Sequence, residues 1–187
     1  MTKRALDLVL LLPALIIFIV PIILVALLVR LSSNGPIIFW SDRVGRGNNL
    51  FKMPKFRTMK VNTPNLATHL LGSPGQYLTL VGGFLRKSSL DELPQLWSVL
   101  VGDMSFVGPR PALYNQFDLI EMRSKLGVDT LLPGITGWAQ INGRDELSLQ
   151  DKVNLDCEYL RRQSFSFDQY ILFLTILKVF KREGISH

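Results

Sequence analysis

The chain has 187 residues, 48% of them apolar and only 19% charged, with a mean hydropathy of +0.25. That composition excludes a disordered chain. The 21 Lys+Arg against 15 Asp+Glu leave a net charge of +6, which suits an anionic membrane face or phosphate-bearing ligands.

One cysteine, Cys157, allows no disulfide within the chain. Two histidines, His69 and His187, are too few for a His/Cys zinc set. A Ser-His-Asp triad would rest on His69, in a loop, and is set aside. Nucleic acid is not an expected partner. No aromatic-basic interleave of the RNA-binding kind occurs, and much of the basic character flanks apolar segments.

Leu8 to Val29 is a run of 22 uncharged residues. As a helix it would reach about 33 Å, enough to cross a hydrocarbon core of about 30 Å. It is too long for a signal-peptide core, and no small-residue cleavage site follows it, so it is expected to be retained in the membrane. Pro13 and Pro21 lie inside it, and Pro21 is expected to bend it. Basic residues flank both ends (Lys3, Arg4 and Arg30), so the positive-inside rule gives no orientation. Either a kinked span or a helix entering and leaving by one face fits, and residue physics alone favours the span.

Ser32 to Pro36 is a turn signal. Ile37 to Trp40 reads as a short strand and Gly45 to Asn49 as a turn. Leu50 to Met59, alternating apolar and basic, reads as the hairpin partner. Residues 60 to 77 read as a loop, and a helix is expected to begin within Leu78 to Arg86. Leu90 to Val101 is a compact apolar helix candidate with Pro94 in its first turn. Gly102 to Pro111 and Leu132 to Arg144 read as loops. Ala112 to Lys125 and Leu147 to Arg162 read as amphipathic helices. Phe165 to Phe180 is strongly apolar, and both an interfacial helix and a core helix suit it.

There is no Walker A loop, no G-x-G-x-x-G and no Asp-x-Asp. What remains is the adjacent acid pair Asp91-Glu92 opening a helix. The plain reading is an acidic first turn that completes the helix dipole, with Ser88 or Ser89 as N-cap. Arg86 and Lys87, one turn upstream, favour something more in a membrane-associated chain. In Pro109-Arg110-Pro111 the prolines fix the backbone around a guanidinium suited to phosphate. In Pro133 to Arg144, two glycines allow close approach of a ligand, Trp138 offers a flat face, and Asn142 and Arg144 offer donors.

Taken together and in order, these segments resemble one family. They are Lys3-Arg4 with Asp7, the proline-broken helix, Gly35-Pro36-Ile37-Ile38-Phe39, Arg43-Val44-Gly45, Lys55-Phe56-Arg57-Thr58-Met59, Ser89 to Gln95, Gly102 to Pro111, and Pro133 to Arg144. The chain is similar, nearly end to end, to the monotopic phosphoglycosyl transferases, the small single-domain form of the bacterial sugar transferase family.

The resemblance implies an enzyme that moves a phosphosugar from a UDP-sugar to polyprenol (undecaprenol) phosphate, giving a polyprenyl diphosphosugar and UMP. Asp91 would be the nucleophile that carries a covalent phosphosugar. Glu92 would serve proton transfer, and both acids would hold Mg²⁺. Arg86, Arg110 and Lys55 are the candidate phosphate contacts. Arg144, with Trp138 and Asn142, would serve the nucleotide or the loop. Asp156 lies in the family's Leu-Asp-x-x-Tyr stretch and receives no role. N-acetylated hexoses are the first sugars to try.

The implied fold is α+β, mostly helical with a short β-hairpin. A re-entrant membrane helix (residues 1–31) would precede a cytoplasmic globular catalytic domain (32–187) with interfacial amphipathic helices. The missing serine at Val20-Pro21 removes one helper of the bend. The expected location is the cytoplasmic face of the bacterial inner membrane, against its lipid, and a homo-oligomer remains open. The alternative function is a non-catalytic membrane-anchored scaffold of a glycan assembly complex.

Overall fold

A computed structural model describes residues 3–63, 74–143 and 147–181. The apolar run forms one helix, α1 (Lys3–Ser32), with Pro13 and Pro21 inside it. Its packing is uneven along its length. Leu6, Asp7 and Leu11 are buried near the start, and Val25 and Val29 near the end. Between them, Ile16 to Val20 are all exposed. Five successive helical residues sweep more than a full turn, so the helix is exposed on every side there. Both limbs pack on one globular body: Leu11 joins Met53, Leu96, Val99 and Met104, while Val25 and Val29 join Phe56 and Leu85.

Polar contacts fasten both limbs. Lys3 Nζ lies 2.6 Å from Asp168 Oδ2 and 3.1 Å from the Tyr159 hydroxyl, which itself donates to Asp168 Oδ1 at 2.7 Å. Burial and the adjacent Asp168 carboxylate push the Tyr159 phenol up, so it stays a donor. Arg4 donates to the carbonyls of Val99 and Leu100, and Asp7 Oδ1 accepts from Ser105 Oγ and the Phe106 amide. At the other end, Arg57 donates to the carbonyls of Asn34 and Ser33 and to Ser33 Oγ. Gly35 is required beside them: its φ is +117°, and a Cβ there would collide with the Arg57 guanidinium.

The hairpin is β1 (Ile38–Val44) and β2 (Leu50–Phe56), antiparallel, with Phe39 opposite Lys55 and Trp40 opposite Pro54. In a two-stranded ribbon both strands are edges, which tolerates Pro54. Next come α2 (Gly82–Lys87), a 3₁₀ helix (Leu90–Gln95) and α3 (Leu96–Val101). The compact apolar helix expected from Leu90 is thus split. Its first half winds as 3₁₀, around Pro94, which lacks an N–H. Neither serine caps it: Ser89 sits at φ 56° without a side-chain cap, and Ser88 Oγ bonds back to Phe84 and Leu85 carbonyls.

Two segments read as loops contain a second small sheet. β3 (Ser105–Val107) pairs parallel with β4 (Gly134–Thr136). Gly134 and Gly137 of the second segment allow this close crossing. A Cβ on Gly134 or Gly137 would collide with the Gly108 backbone, and one on Gly108 with the Leu132 carbonyl.

The helix expected from Ala112 starts later, as α4 (Phe117–Lys125), because the Ala112 carbonyl is taken by the Val44 amide and Leu113 bridges to Arg43. A one-turn α5 (Trp138–Ile141) follows β4. α6 (Leu149–Arg162) is capped by Ser148, whose Oγ accepts from the Asp151 amide. α7 (Phe165–Lys181) has one buried and one exposed apolar side. Phe167, Asp168 and Ile171 face the core, while Phe173, Ile176 and Val179 are exposed.

Candidate active site

The Asp91-Glu92 pair sits in the first turn of the 3₁₀ helix, laid against strand β2. Ser89, just before it, holds a left-handed backbone that non-glycine residues rarely adopt, and such strain concentrates at functional sites. Lys55 projects from β2 and its Nζ donates to Glu92 Oε1 at 2.9 Å. Arg110 Nη2 donates to the same oxygen at 3.1 Å. Glu92 is mostly buried, its side chain 14% exposed, so these are not surface pairs.

Asp91 is buried, and that burial raises its pKa. Lys55 and Arg86 oppose the rise and Glu92 adds to it. Arg86 faces Asp91, which partly offsets the loss of basicity that burial imposes on the guanidinium, and its Nε donates to Thr58 Oγ1 at 3.0 Å. Burial lowers Lys55 too, with Glu92 opposing.

The structure therefore brings Lys55 and Arg110, distant in the chain, to the Arg86, Asp91 and Glu92 stretch. Arg144 lies outside the described residues. Trp138 offers no open face. Its ring packs against Phe167 and Tyr170, Arg162 covers it, and its Nε1 donates to Glu158. Asn142 Nδ2 donates to the Trp138 carbonyl, a loop contact.

Sequence reasoning missed Arg43 as a site residue. Its pKa is pulled down to about 10, first by burial and then by Arg110, with Glu92 opposing, so it stays charged and belongs to the same cluster. The signal was present in Arg43-Val44-Gly45, but nothing in the sequence says which face of β1 the side chain takes.

The donor set fits a hard cation of the Mg²⁺ kind held jointly with a diphosphate. Such ions take one or two carboxylates and complete their shell with water and substrate oxygens. Asp91 and Glu92 could supply those carboxylates. Among the described residues no cluster of three or more His, Cys, Asp or Glu forms an all-protein cage.

Buried Asp91 and mostly buried Glu92, set among Lys55, Arg43, Arg86 and Arg110, make an arrangement that can neutralise a polyanionic ligand. The chain belongs to the bacterial sugar transferase family, whose profile matches residues 1–182. It is 44% identical over 190 residues to UDP-glucose:undecaprenyl-phosphate glucose-1-phosphate transferase of Escherichia coli (strain K12), covering 95% of this chain and 40% of that protein. Undecaprenyl-phosphate glucose phosphotransferase of Komagataeibacter xylinus is 42% identical over 198 residues, covering 97% of this chain and 36% of the relative. The chain thus spans about two fifths of the length of these two relatives. Exopolysaccharide production protein ExoY of Sinorhizobium fredii (strain NBRC 101917 / NGR234) is 35% identical over 198 residues, covering 98% of this chain and 87% of that protein.

Proposed function

We propose that the protein transfers a phosphosugar from a UDP-sugar to polyprenol phosphate in two steps. A carboxylate oxygen of Asp91 attacks the β-phosphorus, and the bond from that phosphorus to the bridging oxygen breaks. UMP leaves with the electron pair, and the phosphosugar stays on Asp91 as an acyl phosphate. A phosphate oxygen of the polyprenol phosphate then attacks the same phosphorus and releases the Asp91 carboxylate, forming polyprenyl diphosphosugar.

Splitting the transfer lets the first anion depart before the second arrives. Lys55, Arg43, Arg86 and Arg110 offset the charge on the diphosphate and on the transferring group. Glu92 takes the residual proton of the incoming phosphate. Mg²⁺, when held by Asp91, Glu92 and substrate oxygens, would supply further charge neutralisation.

The observation that carries this reading is the acid pair desolvated among Lys55, Arg43, Arg86 and Arg110. A non-catalytic scaffold gives no reason for that crowding. The names of the two longer relatives support undecaprenyl phosphate as acceptor and make UDP-glucose the first donor to try.

Residues 1–31 are read as a re-entrant membrane helix and 32–187 as the catalytic domain on the cytoplasmic face. Two features support this: residues near both ends of α1 pack on one body, and its middle, Ile16 to Val20, is exposed and apolar. Outward residues Trp97, Leu100 and Val101 of α3 and the outer face of α7 suit the same interface.

The test is UMP release from a panel of UDP-sugars with undecaprenyl phosphate and Mg²⁺. Release that requires the acceptor for turnover is expected, and no release from any donor would sink the reading. For topology, single cysteines at Thr2 and Asn34, in a Cys157→Ser background, are expected both to react from the cytoplasmic side. Periplasmic reaction at Thr2 would show a span.

A further inference from the structure

Asp156 and Arg123 take no part in the chemistry above, yet they are joined to it. Prolines 109 and 111 have no N–H to donate, so the segment around Arg110 must be held through its carbonyls. Four consecutive carbonyls are each taken. Pro109 accepts from the Gly134 amide at 2.9 Å and Ala112 from the Val44 amide at 3.0 Å. Between them, Arg110 accepts from Arg123 Nη1 at 2.8 Å, and Pro111 from Arg43 Nη1 at 3.1 Å.

Arg123, on α4, is itself fixed. Its Nε and Nη2 both donate to Oδ2 of Asp156 on α6, at 2.9 and 2.6 Å. This pair is deeply buried, its side chains 12% and 1% exposed. One side of the guanidinium grips the carboxylate, which leaves Nη1 aimed at the Arg110 carbonyl. A lysine has no such fork.

We infer that Asp156 and Arg123 are positioning residues: they hold the Arg110 backbone so that its side chain meets Glu92. The inference deepens the proposed function, and its catalytic consequence rests on that reading. A mere tie between α4 and α6 would need only the ion pair.

Arg123→Lys separates the two roles, since it keeps a charge for Asp156 but loses the fork. It is expected to slow UMP release roughly tenfold, on the scale of coupled neighbours. In an Arg110→Ala background the same change is expected to cost less than about twofold. Unchanged release in the parent background, or the full tenfold in both backgrounds, would overturn the inference. Should Arg123→Lys not fold, Asp156→Asn is read in the same cycle.

A readout free of the reaction is the side-chain nitrogen-15 resonance of Arg110 Nε, assigned by its loss in Arg110→Lys. Either variant is expected to shift or broaden it, and an unmoved resonance would overturn the inference. Absence of turnover in the parent protein would defeat the proposed function and leave this resonance test standing.

Discussion

Asp91→Asn is expected to abolish turnover, lowering UMP release by on the order of 10⁴-fold or more, the scale on which removal of a covalent nucleophile acts. The amide keeps the shape of the carboxylate but cannot form the acyl phosphate. Folding should not suffer. Burial raises the pKa of Asp91, so the charged form is held in the folded protein at a cost that a neutral amide does not carry. The melting temperature is therefore expected to be no lower than that of the parent. Steady-state UMP release and a thermal melt in the same detergent check both halves. Residual turnover within about tenfold of the parent would defeat the nucleophile assignment.

The second large effect concerns anchoring. Asp168→Ala removes the partner of Lys3 and the acceptor of the Tyr159 hydroxyl. The carboxylate side chain is only 4% exposed and Lys3 is 24% exposed, so the lost partner leaves a mostly desolvated ammonium behind. Breaking such a pair costs about 3 kcal/mol. For a chain of this length that corresponds to a fall in melting temperature of roughly 6–12 °C. Asp168→Asn, which keeps an acceptor for the phenol, is expected to cost less. A melting temperature within a degree of the parent for Asp168→Ala would show that the N-terminal limb of α1 is not held by this contact.

Elements with a strong period were legible in the sequence. The apolar run became α1, the alternating Leu50 segment became β2, and Ser148 caps α6 close to the expected start. The acid pair with Arg86 upstream, and Arg110 between two prolines, were legible as charged groups in an apolar chain, whereas Lys55 was legible only through the resemblance to the family.

What stayed hidden depends on long-range pairing. β3 and β4 are three residues each, too short to show alternation, and the close backbone crossing at Gly108, Gly134 and Gly137 depends on that pairing. The 3₁₀ start at Leu90 follows from the left-handed Ser89, which no local preference announces. Arg43 and the Arg123–Asp156 pair gain meaning only once β1, α4 and α6 converge on the carbonyls around Arg110.

The most direct measurement is the mass of the intact protein after incubation with a productive UDP-sugar in the absence of polyprenol phosphate. The expected result is a species heavier by one phosphosugar, with the added mass mapped to the peptide containing Asp91 and discharged when polyprenol phosphate is added. UMP release with no added mass on the protein, or with the mass mapped to another residue, would contradict the covalent aspartyl mechanism.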